Sequence, residues 1–327
     1  MSTFIRDFIE REKINRRNFL LASAMGAGSL MLPGSLRRAV AADGTAMAWS
    51  YRDRASAYWN AIVSGGEAYV ESLGLNKSAM TSLINEGSSE KSLSDIKAFL
   101  AKNNGNCAIA CDPNDSPNAR PVVEATKAAG GYISTIWNKA DDLHPWDFGD
   151  NYVSHMSWSG VQPSKEAAIK LIEAMGGKGA IVHVGGIPAN IPAIERLEGL
   201  KQALAEYPDV QLLDVQSADW DTAKAASLMS SFITRYGDEI TGVHCANDNM
   251  AYGVLEALKA EGMTLPVTGF DGNPEAVKMV IDGELLATVF TNPFWGGGIS
   301  LALAHQAATG AFTNVMARWN IERALEC

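Results

Sequence analysis

The chain repeats one unit: a short apolar run with the look of a buried strand, then a longer stretch with helical spacing. "TAMAWS" precedes a helix over Ala57–Leu73, "SAMTSLIN" precedes the helical "SLSDIKAFLAKN", and "NCAIAC" precedes "SPNARPVVEATKAAGG". Gly130-Gly131 closes that third helix, as glycine after a helical run usually does, and the strand "YISTIW" follows. A second set begins near residue 160 with the helix "SKEAAIKLIEAMGGKG", the strand "AIVHVGG" and the helix "IPAIERLEGLKQALAEYP". "VQLLDVQS" and "EITGVHCA" read as strands flanking a helix over Trp220–Tyr236; "NMAYGVLEALKAEG", "LPVTGF", "NPEAVKMVIDG" and "LLATVFT" continue the alternation. Parallel neighbours can be reached only by crossovers, so this pattern predicts an α/β fold with doubly wound parallel sheets. Two sets of five to six strands are expected to form two lobes, because one sheet of that width would be unusual. The intervening "KADDLHPWDFGDNYVSHMSW" reads as a long loop.

The first forty residues break the pattern. "NRRNFLLASAMGAGSLMLPGSLRRAVAA" sets Arg16 and Arg17 before a moderately apolar run and ends on the small residues Ala39-Val40-Ala41. Paired arginines, apolar core and A-x-A are the marks of a twin-arginine export signal over residues 1–41, with cleavage expected after Ala41. The run from Phe19 to Leu32 is too short and too rich in Gly and Ser to span a bilayer. Residues 1–41 carry seven basic and three acidic side chains, so the formal charge of −10 for all 327 residues becomes −14 without them. Such a surface repels phosphate backbones and argues against nucleic acid as a partner. A periplasmic, soluble, monomeric mature protein is expected.

Cys107 and Cys111 lie on one strand, where four residues span about 13 Å, beyond disulfide reach. They and Cys245 read as buried free thiols, consistent with a cargo that folds before export; Cys327 ends the chain. Neither the cysteines nor His144, His155, His183, His244 and His305 have zinc-ligand spacing, and no cofactor is expected.

In open parallel sheets, ligands sit just beyond the carboxyl ends of the strands. The residues there are polar and aromatic: Ser50, Asp112, Trp137, Trp158, Asn247 and Asp271. "VTGFDGNPEAV" shows the arrangement most clearly, leading the carboxylate of Asp271 straight out of an apolar strand.

On these residues the chain resembles the periplasmic sugar-binding proteins of ABC importers, nearest to the ribose-binding type. The stretches that carry the resemblance are "GFDGNPEAVKMVIDGELLATVFTNP", "ANDNMAYGVLEALKAEG" and "LEGLKQALAEYPDVQLLDVQSADWDTAKA", and it runs from about Thr45 to Thr309. It implies two lobes joined by a three-strand hinge, residues 43–157 plus 292–327 forming one lobe and 158–291 the other. It also implies a sugar site at Asp271 and Asn247, with Trp220 from "ADWD", Tyr58-Trp59, Ser50, Asp112 and Thr291 around it. An arginine of ribose binders falls at Ile194 here, which implies that a charged donor is missing and, with Trp137 and the long loop, argues against ribose as the ligand. Trp137 stands where the family often has aspartate.

The residue types suit a sugar independently of the resemblance. Indole and phenol rings cover C–H faces, while carboxylates and amides bind hydroxyls at the rim. Trp59, Trp137, Trp158 and Trp220 supply plates; Arg52 or Arg54 from "SYRDRAS" would donate to the ligand or hold a carboxylate. Each has a plainer alternative: Asp271 and Asn247 as helix N-caps, the indoles as core, the arginines as solvated loop residues. No Gly-x-Gly-x-x-Gly follows the first strand, no nucleophile elbow stands out and no basic headpiece precedes the lobes, which argues against dehydrogenase, hydrolase and repressor. The expected function is capture of a small neutral sugar or polyol for an ABC permease and its ATPase subunit in the inner membrane. A periplasmic sensor feeding a chemoreceptor or histidine kinase is the alternative.

Overall fold

The computed structural model describes residues 44–311; the export signal expected over residues 1–41 and the C-terminal "TNVMARWNIERALEC" lie outside the described residues. Two parallel sheets form. The first has the strand order β2-β1-β3-β4-β5, with β1 Ala46–Tyr51, β2 Met80–Ile84, β3 Cys107–Cys111, β4 Tyr132–Ile136 and β5 Tyr152–Met156. The second has the order β7-β6-β8-β9, with β6 Gly179–Gly185, β7 Val210–Ser217, β8 Gly242–Cys245 and β9 Val267–Thr268. Each sheet starts from a central strand and winds outward in both directions, so each has a switch point where neighbouring crossovers leave on opposite faces.

Helices α1 Ala57–Ser72, α2 Ser89–Lys102 and α3 Ser116–Ala129 follow the first three strands. In the second lobe come α4 Val161–Ala174, α5 Ile191–Leu204, α6 Thr222–Tyr236, α7 Asp248–Ala260 and α8 Pro274–Asp282. Their ends obey local chemistry. Asp115, Asp221 and Asn247 accept the backbone N–H three residues on and so cap α3, α6 and α7, and Gly130 closes α3 in the left-handed conformation.

Two sequence expectations change. The long loop contains a strand: β5 pairs in parallel with β4 and completes a five-stranded sheet. "LLATVFT", expected as a regular strand, makes only the bridges Thr268↔Ala287 and Asp271↔Phe290 beside β9, so the second sheet has four strands rather than five or six. Backbone bonds from Asp271 N to Val289 O (2.8 Å) and from Thr291 N to Asp271 O (3.2 Å) still tie that segment to the sheet.

Among the described residues the chain passes between lobes twice, between Met156 and Val161 and again near Thr291. After the second passage α9, Pro293–Ala308, returns to the first lobe and packs on α1 and on β1, β3, β4 and β5. Its position depends on glycine. A Cβ at Gly297 would lie 1.8 Å from the Ile62 carbonyl oxygen, and one at Gly65 would lie 1.9 Å from the Phe294 carbonyl oxygen. The two helices therefore meet backbone to backbone, and the buried Trp49 indole N–H donates to Gly297 O at 3.0 Å. Cys107, Cys111 and Cys245 are buried and unbridged.

Gly297→Ala is expected to force α9 off α1 at a cost of about 1–3 kcal/mol, the usual scale of overpacking. Thermal denaturation followed by circular dichroism checks this; a melting temperature equal to wild type would contradict the close approach.

Candidate functional site

The carboxyl ends of both sheets face a single cleft of about 610 Å³, counted with its solvent-open mouth. The turns after β1, β3 and β4 bring Arg52, Asp53, Asp112, Asn114, Trp137 and Asn138 to one wall, and α1 adds Tyr58 and Trp59. The facing wall comes from the turns after β6, β7, β8 and β9, with Asn190, Trp220, Asn247 and Asp271, and from α5 with Arg196.

Backbone conformation at these turns is unusual. Among the described residues eight non-glycine residues have positive φ, and four of them, Asn114, Trp137, Trp220 and Asp271, line the cleft. For a tryptophan that conformation costs on the order of 1–3 kcal/mol and persists only where the surroundings impose it. Both indoles are imposed by hydrogen bonds: Trp137 N–H bonds Met156 O (2.9 Å), its indole donates to the Tyr58 hydroxyl (2.8 Å), and the Trp220 indole donates to Asn190 Oδ1 (2.7 Å). The Trp220 ring also occupies the space a Cβ at Gly186 would need.

Arg196 is the buried centre of the second wall, at 3% exposure. Its Nη1 lies 3.3 Å from Asp271 Oδ1 and donates to Ala246 O at 2.5 Å. Its guanidinium sits 3.8 Å above the Phe270 ring and 5.5 Å from the rings of both Trp137 and Trp220. A guanidinium stacked on aromatic faces and paired with one carboxylate is held in a fixed plane. Burial pushes the Asp271 carboxyl up, opposed by the Arg196 charge, and burial with the Asp271 charge pushes Asp248 behind it up as well. Asp248 spends both oxygens inside the protein, accepting from Thr288 Oγ1 (2.6 Å) and Asn273 N (2.8 Å).

The walls are already joined. Arg52 Nη2 donates to Asp219 O (3.0 Å), Ile191 N donates to Asn138 Oδ1 (3.1 Å), and Asn190 Nδ2 donates to Asn114 O. Asn138 Nδ2 in turn donates to Asp112 Oδ1 at 3.0 Å. Two of the residues that line the cleft each carry a buried polar atom with no hydrogen-bond partner: Arg196 Nε, a donor, and Asn114 Oδ1, an acceptor.

Of the expected residues, Tyr58, Trp59, Asp112, Trp137, Trp220, Asn247 and Asp271 come together at the cleft. Asn247 is both a wall residue and the α7 cap, its Oδ1 accepting from Met250 N at 2.9 Å. Four others do not line it. Ser50 is buried beneath the strand ends with its hydroxyl 3.4 Å from Ser92 Oγ. Arg54 turns outward to Ser82 Oγ (2.9 Å), and its neighbour Arg52 takes the inward place. Trp158 packs behind Trp137 with its ring tilted by 39°, ring centroids 4.7 Å apart. Thr291 is buried, and its N–H holds the Asp271 carbonyl.

The expected lack of an arginine is corrected. Ile194 points to solvent at 52% exposure, while Arg196, two residues on, supplies the charged donor. The signal was in the helix: with α5 starting at Ile191, the buried face runs Ala193, Arg196, Leu200, Ala203, and a charge on that face must have partners. Asn114, Asn138 and Asn190 were also missed, because turn asparagines look alike in sequence whether they cap, turn or bind. Among the described residues no group of three His, Cys, Asp or Glu could hold a metal ion, and no helix is long and apolar enough to cross a membrane.

Burial raises the Asp112 carboxyl from 3.8 to about 6, only partly offset by the Asn138 bond. The folded chain thus keeps this proton after the unfolded chain has released it, and stability falls as pH rises from about 4 to about 6. Asp112→Asn should raise the melting temperature most at pH 7–8, by on the order of 2–3 kcal/mol of stability, with the gain shrinking toward pH 4. A pH series of thermal melts decides; a gain of equal size at every pH would contradict the buried charge.

The family model for the periplasmic binding protein domain matches residues 47–311. The D-allose-binding periplasmic protein of Escherichia coli is 30% identical over 250 residues, 75% of this chain and 79% of that relative. The xylitol-binding protein of Mycolicibacterium smegmatis is 32% identical over 209 residues, 64% of this chain but only 58% of that relative's own length. A crystal structure of a twin-arginine translocation pathway signal protein from Burkholderia phytofirmans superposes with a TM-score of 0.80 at 46% identity, covering 83% of this chain and 84% of that one.

Proposed function

The chain belongs to the periplasmic binding protein domain family, and from that premise we propose that its cleft captures one small neutral sugar or polyol between closing lobes and delivers it to an ABC permease. Membership implies a periplasmic place of work; export by the twin-arginine route is part of the proposal and rests on Arg16, Arg17 and the Ala39-Val40-Ala41 site.

The observation that carries the reading is the pair Arg196 Nε and Asn114 Oδ1, one donor and one acceptor buried without partners on opposite walls. Leaving such groups unsatisfied costs about 1–3 kcal/mol each, so the cleft suits a ligand that offers both an acceptor and a donor. A hydroxyl offers both, and a ring or chain of hydroxyls offers them repeatedly. Trp59, Trp137 and Trp220 line the cleft, and indole carbon suits the intervening C–H groups. The Arg196 charge is already matched by Asp271, and Asp112 and Asp53 stand nearby, so a ligand carboxylate would meet like charge. That favours a neutral ligand over a sugar acid. The relatives that bind xylitol and D-allose are of this chemistry.

A thermal-shift screen of the mature protein against pentoses, hexoses, polyols and sugar acids is expected to give stabilising hits among neutral compounds, since a ligand of the folded state alone raises the melting temperature. With a hit in hand, Asp271→Ala should cost roughly a hundredfold in affinity, because it strands a buried guanidinium. Asn114→Gly keeps the left-handed turn and should cost roughly tenfold. Calorimetry with unchanged affinity in both variants would reject the site.

A further inference from the structure

The first passage between lobes is short and held at both ends. Met156 ends β5, Gly160 is the residue before α4, and Ser157, Trp158 and Ser159 lie between them. Trp158 is fastened to the first lobe. Its indole packs on Trp137 at 4.7 Å and 39°, and it fills the space beside Gly296, where a Cβ would come within 2.4 Å of the ring. Gly296 stands in the first turn of α9, just past the second passage, so one indole packs on the helix that follows that passage and on Trp137 of a cleft wall.

Gly160 is fastened to the second lobe. Its N–H donates to Glu195 Oε2 at 2.8 Å, and a Cβ there would lie 2.9 Å from the Glu195 Cβ and 3.6 Å from the Arg196 Cγ. The Glu195 carboxylate thus sits at the N-terminus of α4, where the helix dipole favours it. Only Ser159, exposed and outside regular structure, separates the two fastenings.

We propose that Trp158 and Glu195 are positioning residues for ligand capture: they pin the passage on either side of Ser159, so that rotation there carries Trp137 and Arg196 together. Neither touches the cleft. Trp158 acts through the indole it backs, and Glu195 acts through the residue that follows it. Anchors on both sides confine movement of this passage to the backbone dihedrals around Ser159, whereas a loose passage would let the walls meet in many registers and lower the fraction of lobe arrangements competent to bind. The inference rests on the two-lobe capture proposed above, and its test separates the two.

The full mature chain is compared with Trp158→Ala, Trp158→Phe, Glu195→Ala and Glu195→Gln by small-angle scattering without ligand, and by calorimetry with D-allose, D-ribose and xylitol as probes. Trp158→Ala and Glu195→Ala should each enlarge the ligand-free radius of gyration and weaken a binding probe about tenfold, the size of a tenfold loss in competent population. Trp158→Phe and Glu195→Gln, which keep a ring and an acceptor, should recover most of both. The near-ultraviolet dichroism of the Trp137–Trp158 pair should vanish in both Trp158 variants. Should an alanine variant fail to fold, its conservative partner, with a smaller shift in the same direction, decides. Scattering and affinity equal to wild type in folded Trp158→Ala, even with a lowered melting temperature, overturn the proposal. If wild type binds none of the three probes, the ligand-free scattering alone decides the hinge, and the carbohydrate reading stands or falls with the wider thermal-shift screen.

Discussion

The structure turns on a guanidinium that has been taken out of water and only partly repaid. Arg196 reaches Asp271 and the Ala246 carbonyl and lies over Phe270, while its Nε has no partner. A buried cation tolerates little freedom, because each displaced contact costs it hydration it cannot recover. The groups around Arg196 are therefore fixed by it: the carboxylate after β9, the ring before that carboxylate, and the two indoles that flank the charge. Asp271 is further held by Val289 O through its N–H and by Thr291 N–H on its carbonyl. The acid that opens the cleft is thus also stitched to the segment leading back to the first lobe.

Strain follows the same geography. Left-handed tryptophans are costly, and the two here stand at Trp137 and Trp220, on opposite walls and about equally far from the Arg196 guanidinium. Each indole N–H is spent on a protein acceptor, Tyr58 or Asn190, so neither indole has a donor left for a ligand. A binding site built from fixed rings and two unpartnered polar atoms has little to reorganise when a ligand arrives, and less ordering entropy is lost on binding.

The fold was legible because its signal is repetitive. Eight of the strands and most helices follow from hydrophobic spacing and end signals, and the rule that ligands meet strand ends located the cleft from Asp112, Asn247 and Asp271. Legibility failed where the pattern is short or where side-chain direction decides. β5, "YVSHM", alternates weakly and hides between polar flanks; the segment at Ala287 pairs through isolated bridges, which no spacing rule anticipates. Arg52 and Arg54 are two residues apart, yet only the first turns inward, and Trp158 differs from Trp137 only in lying one layer back. The family position of the charged donor falls on Ile194, on the exposed face of α5, whereas helical periodicity puts Arg196 on the buried face.

Ligand capture, on this view, is the completion of two unfinished hydrogen bonds, one on each wall. The most direct measurement is the nitrogen-15 resonance of the Arg196 side chain, Nε–H, assigned through Arg196→Lys and followed as a stabilising carbohydrate is added. The signal should shift and its proton should exchange with solvent more slowly once a ligand oxygen accepts from it. A carbohydrate that binds tightly while leaving that resonance and its exchange rate untouched would contradict the central role given to Arg196.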